Sequence, residues 1–248
     1  MATNADFEQR LHVSPSINEL AIDHFAERPR GNDKQPEPDL EHVALSGAMK
    51  VAREEAHALV ALVNTVHGDE SQTPAAAAIQ VATAAKKTGE RVAARLLAAQ
   101  VTVDATIASL QKATFAPLPD ADIGEKFDTQ ILYALKTMTS DERSEAFNEA
   151  FETDDMTIIG SVLRAPALLS GMNATEIAAL RHRFQQKHHP VAMARLERLK
   201  KMRAASDVGG KAFVKLVQEA GDTTFANGAI AARSKRESVL AAHQQQEV

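Results

Sequence analysis

Apolar residues recur through the middle of this chain at alternating spacings of four and three. Leu45, Met49, Ala52, Ala56, Leu59, Val63 and Val66 form one such stripe. The stretch from Gly68 to Pro74 interrupts it, and a second stripe follows: Ala85, Gly89, Val92, Leu96, Ala99, Val103, Thr106 and Leu110. That period places each set on one face of an α-helix. Two helices joined by a few residues fold back on each other as an antiparallel hairpin. The pattern predicts a first helix over 41–67 and a second over 74–116. Thr73 caps the second, and Pro74 takes its first position, where a missing N–H leaves no bond unmade. Pro117 and Pro119 end it. About 40 residues at 1.5 Å rise make a rod of roughly 60 Å, against about 40 Å for its partner. The excess must project or be covered by another element. Leu45, Met49, Leu59, Val63, Val92, Leu96, Val103 and Leu110 are the seam residues expected to carry helix–helix contact. Pairing within one chain and pairing between chains both satisfy the stripe.

Before the hairpin, residues 1–40 read as an extended arm that lies across a neighbour. Ile17, Leu20 and Phe25 offer one short helical face after Ser14-Pro15, and Arg28 to Asp39 is charged, rich in proline and without a stripe. After the hairpin, residues 118–172 read as a globule of shorter helices. Phe127, Ile131, Tyr133, Leu135 and Met138 give one apolar face, Ser140 caps a helix to Glu152, and Met156 to Arg164 forms another before Pro166. Residues 173–248 read as a basic helical region. Asn173 and Glu176 have the spacing of a capping box, Pro190 ends or kinks the helix that follows, and Met193, Leu196, Leu199 and Met202 mark the next. Asp207 to Gly210 reads as a turn, Phe213, Leu216 and Val217 as a short helix, and Asn227-Gly228 as the end of a loop before a last helix over 229–243. No segment sustains a period of two. The expected fold is all-α: a long helical hairpin, a smaller helical globule, a basic C-terminal region and an N-terminal arm.

Composition narrows the chemistry. There is no cysteine and no tryptophan, and one tyrosine, Tyr133. Disulfides, thiolate catalysis and Cys-ligated zinc are therefore excluded. A core of Ala, Leu, Val, Ile and Met buries little area per residue, at roughly 25 cal/mol per Å², so such a hairpin gains from further helices or a partner subunit. Met1 to Arg10 is polar and acidic, unlike a signal peptide, and the apolar stretches are short or Ala-dominated, so no membrane insertion is expected. The expected location is the cytoplasm or an assembly built there.

Charge is uneven. Residues 1–176 hold 15 Lys and Arg against 27 Asp and Glu, whereas residues 177–248 hold 13 against 6. Within the basic part, Arg181, Arg183, Lys187, Arg195, Arg198, Lys200, Lys201 and Arg203 lie close together. Such a row neutralises phosphates and releases counterions, so nucleic acid is one candidate partner. Pairing with the acidic 141–155 segment, or plain solvation, is the other reading. Only Phe184 is available for base stacking there.

No metal or catalytic signature stands. His182 and His189 lack a carboxylate at helical spacing. Asp120 to Ile131 begins like a calcium loop but has its glycine one position early and Ile131 where a bidentate Glu is needed. Gly209-Gly210-Lys211 is followed by Ala212, not by the Ser or Thr that a phosphate loop requires. The expectation is therefore a non-enzymatic structural or assembly protein without cofactors or metal, acting through helical contacts with itself or other assembly proteins, virion components among them. A nucleic-acid-binding accessory protein using 181–203 and a monomeric or dimeric regulatory adaptor are the alternatives.

Overall fold

In the computed structural model, residues 11–26, 39–115, 121–221 and 224–246 are described. Among them lie ten helices and no strand: α1 (Leu20–Asp23), α2 (Leu40–His67), α3 (Pro74–Phe115), α4 (Ala121–Thr137), α5 (Ser140–Thr153), α6 (Met156–Arg164), α7 (Ala167–Ser170), α8 (Ala174–His188), α9 (Pro190–Ala220) and α10 (Thr224–Gln246). The protein is all-α. The proline-rich stretch 27–38, Met1 to Arg10 and the prolines at 117 and 119 lie outside the described residues, as does Asp120 of the calcium-like loop.

Two compact units emerge: residues 1–105 with 198–248, and residues 106–197. These divisions differ from the boundaries expected at 117 and 172. α8 packs with α4–α6, since Ile177, Leu180 and Phe184 share a core with Leu132, Leu135, Phe147, Phe151, Ile159 and Val162. Residues 173–248 are therefore not one region.

The long-helix unit contains the predicted hairpin. Leu59, Val63 and Val66 of α2 pack on Ala77, Val81 and Ala85 of α3, so the seam closes within one chain. Every residue of the first stripe is buried. In the second, Ala85, Val92, Leu96, Ala99 and Val103 are buried, while Gly89, Thr106 and Leu110 are half-buried. Thr73 Oγ1 accepts from the Ala76 amide at 3.3 Å, as the cap reading requires.

The third member of this unit is the main correction. Asp207 to Gly210 is no turn: α9 runs unbroken from Pro190 to Ala220. Two helical glycines cost about 1 kcal/mol each relative to alanine. Packing accounts for them. A methyl group at position 209 would fall 2.6 Å from Met49 Cε and 2.8 Å from the Ser16 carbonyl oxygen, and one at 210 would fall 2.8 Å from Leu96 Cδ2. A methyl group at Gly89 would meet Val217 Cγ1 at 2.9 Å. These glycines let α9 settle against α2 and α3. The pairing with α3 is antiparallel: Gln100 Nε2 donates to Ser206 Oγ and Asp207 Oδ1 at 3.1 and 3.3 Å, and Arg203 donates to Asp104 at 3.0 Å. As numbering rises along α3 it falls along α9.

The described part of the arm is also corrected. Residues 11–26 fold onto α2 of the same chain instead of extending. Ile17 and Ile22 are fully buried, whereas Leu20 faces solvent. Arg53 holds Glu19 with two hydrogen bonds of 2.7 and 2.6 Å, and His42 pairs with Asp23 at 2.9 Å. The Arg53 guanidinium keeps the Glu19 carboxyl below the usual carboxylate range, against the opposing pull of burial.

In the short-helix unit the cap at α8 is the expected one, but the cap of α5 is Thr139 and not Ser140, which is the first helical residue. Thr139 and Glu142 form a capping box at the start of α5, and Asn173 and Glu176 form another at α8. Arg143 Nη1 donates to the Leu135 and Met138 carbonyls, closing the end of α4. The expected apolar face of α4 turns differently. Leu132 and Leu135 are buried, but Tyr133 and Phe127 face solvent. α10 continues through Asn227-Gly228, so the loop expected there is helix. At Gly228 nothing approaches within 4 Å of an added methyl group, and the alanines at 226, 229, 231 and 232 supply helix propensity.

Candidate functional site

Most of the basic residues singled out from the sequence are engaged by their own chain. On α8, Arg183 lies 4.2 Å above the Phe151 ring and donates to Asn148 Oδ1 at 2.5 Å. Lys187 donates to the Phe151 carbonyl at 2.6 Å and pairs with Asp154 at 2.7 Å. Lys187 thereby holds the Asp154 carboxyl below its ordinary value. Asn148, Phe151 and Asp154 belong to the acidic 141–155 segment, so these two side chains take the intramolecular reading. Arg181 lies 4.3 Å from the centre of the Phe115 ring. On α9, Arg198 pairs with Asp39 at 2.7 Å, and Arg203 pairs with Asp104 and Asp207. Arg195 is half-buried and also engaged. Lys200 and Lys201 remain exposed.

The short-helix unit closes its polar interior in the same manner. Asp128 of α4 receives Arg164 through Nε at 3.1 Å and Nη2 at 2.8 Å, and the Ser161 hydroxyl at 2.6 Å. The Arg164 guanidinium lowers the Asp128 carboxyl from its ordinary value, burial opposes this, and Ser161 adds to the lowering. The cluster ties α4 to α6 and offers no open coordination position. Among the described residues no three His, Asp or Glu side chains gather as metal ligands.

Among the described residues, one open apolar surface is the outward side of α3. Leu97 is 60% exposed and Val101 59% exposed. Ala94, Ala98 and Ala105 are exposed beside them. At 100° per residue these five positions form one stripe, opposite the seam that faces α2 and α9. The seam residues alone do not reveal it, because α3 carries two apolar stripes at the same helical period. The signal was present: Ala94, Ala98, Val101 and Ala105 repeat at four, three and four. The stripe adjoins a groove of about 360 Å³ between α3 and α9, lined by Ala93, Leu97, Gln100, Lys211, Val214 and Lys215 among others. Exposed Val208 and Val214 add apolar surface on α9. Beside the first half of α3, a wider groove of about 830 Å³ separates it from Ala232, Arg233 and Arg236 of α10.

By length and composition α3 is apolar enough to cross a membrane, with 22% of its most apolar stretch buried. Its buried side packs on α2 and α9, and its remaining surface carries Lys86, Lys87, Glu90, Arg91 and Arg95. Compared with known proteins, the chain matches no family model, no curated protein and no solved structure.

Proposed function

We propose that this chain is a non-enzymatic assembly protein that works through helix–helix contacts with further copies of itself, as a subunit of a shell or scaffold of the virion type made in the cytoplasm. The observation that carries this reading is the exposed stripe of Leu97, Val101 and their alanines on α3. Two large aliphatic side chains left more than half exposed on one helix face lose apolar contact with water when a partner covers them. The seam predicted from sequence is already used inside the chain, so it is not the oligomer contact. Nucleic-acid binding has less support, because Arg183, Lys187, Arg198 and Arg203 are held by intramolecular partners.

Light scattering on a sizing column at low and high salt tests the proposal. A defined oligomer at both salts is expected, together with its loss in the Leu97→Lys, Val101→Lys double variant at unchanged melting temperature. A monomer at both salts overturns the reading and leaves the adaptor.

A further inference from the structure

The charges beside the exposed stripe specify the partner and its direction. Within residues 90–105, Ala94 and Val101 occupy one position of a heptad, and Arg91, Ala98 and Ala105 occupy the position that pairs with it, Arg91 being turned aside to Glu55 of α2. The residue before each member of the second set lies on one flank: Glu90, Leu97 and Asp104. The residue after each member of the first set lies on the other: Arg95 and Thr102. One flank thus carries Glu90 and Asp104, the latter already paired with Arg203 of α9, and the other carries Arg95 and no acid. Arg95 is exposed and has no partner among the described residues. Glu90 is 68% exposed and reaches only Lys86, at 4.0 Å.

Direction follows from symmetry. In an antiparallel pair of identical helices each flank meets its own copy, so Glu90 would meet no base of the second α3. In a parallel pair the acidic flank meets the basic one, and Glu90 faces Arg95 of the second copy, five residues further on, twice per dimer. Flanking ion pairs of this spacing set the orientation of coiled coils. We propose that α3 pairs in parallel, in register, with α3 of a second copy through Ala94, Ala98, Val101 and Ala105, with Leu97 covering the edge. The inference rests on the self-assembly reading and adds the occupant, the face and the direction.

The absence of cysteine makes the test direct. Ala98→Cys and Ala105→Cys are made singly, checked by circular dichroism, oxidised and run on non-reducing gels. In a parallel two-fold pair each residue meets its own copy, so both variants are expected to form reducible dimers. If an antiparallel pair places position 98 on its axis, the two copies of position 105 are about 20 Å apart and only Ala98→Cys cross-links. That outcome, or no cross-link in either variant, overturns the proposal. Light scattering on the same samples separates the two failures: an oligomer without both cross-links leaves self-assembly standing, and a monomer removes it. As an independent readout, Arg95→Glu is expected to weaken the dimer roughly fivefold, as two exposed ion pairs allow, and adding Glu90→Arg to restore it. No weakening, or no restoration, overturns the charge-directed pairing.

Discussion

Among the described residues, the long-helix unit builds its core from Ala, Val, Leu, Ile, Met and one phenylalanine, Phe213, with helices brought close by Gly89, Gly209 and Gly210. The short-helix unit uses Phe147, Phe151 and Phe184, with two capping boxes and the Asp128–Arg164 pair. Large side chains give short helices enough contact to close on one another. Small ones demand length and close approach, and each helix can turn only part of its circumference toward its neighbours. α3, with 42 residues, therefore keeps an apolar face outside after α2 and α9 have covered the rest. The basic side chains divide similarly: Arg183 and Lys187 are engaged on the aromatic ring and carbonyl edge of α5, whereas Lys211 and Lys215 border the open groove beside α3.

The sharpest way to break this comparison is to charge the small-residue seam. Leu96→Asp places a carboxylate where the side chain is buried against α9, and a loss of at least about 3 kcal/mol is expected from lost burial and an unpaired charge. Urea denaturation followed by circular dichroism measures it; unchanged helicity and melting temperature would show that the seam is not core. Gly209→Ala asks whether close approach matters more than propensity. The methyl group meets the Ser16 backbone, so destabilisation of about 1–3 kcal/mol is expected from overpacking, although alanine is the better helix former. A rise in stability would dismiss the close-approach account of α9.

Arg164→Met tests the other unit. It strands Asp128 beside the Ser161 hydroxyl, with a loss of about 1–2 kcal/mol after allowance for partial exposure. Hydrogen exchange is expected to accelerate in α4 and α6 and to stay unchanged in α2. The same pair gives a pH dependence. The folded carboxyl of Asp128 lies below its unfolded value near 3.9, so its contribution is fully present above about pH 4 and is lost as pH falls through the lowered folded value. Glu19 behaves alike against Arg53. Exchange in α4–α6 and in residues 11–26 is expected to rise on acidification below that point, and persistence of protection in Asp128→Asn at neutral pH would contradict it. The smallest effect is Gly47→Ala. Nothing lies within 4 Å of the added methyl group, so a gain of about 0.5–1 kcal/mol is expected from helix propensity. Set beside Gly209→Ala, it isolates packing from propensity.

Local patterns alone determined a good deal. The alternating stripes located α2 and α3, Thr73-Pro74 set a helix start, Pro190 ended the helix before it, and Asn173 with Glu176 placed a capping box. Each rests on interactions within about a turn of helix, which residue order specifies directly. Tertiary structure decided what local preference leaves finely balanced. Asp207 to Gly210 has the composition of a turn, and the difference between turn and helix there is on the order of 1 kcal/mol per glycine. Contact of Gly209 with Met49, 160 residues away in sequence, and of Gly210 with Leu96, accompanies the helical outcome. Likewise, Arg53 and the buried isoleucines fold residues 11–26 onto α2, and Phe184 joins α8 to the core of α4–α6. That the first apolar stripe of α3 is buried and the second stays exposed follows from the same long-range packing, of both α2 and α9.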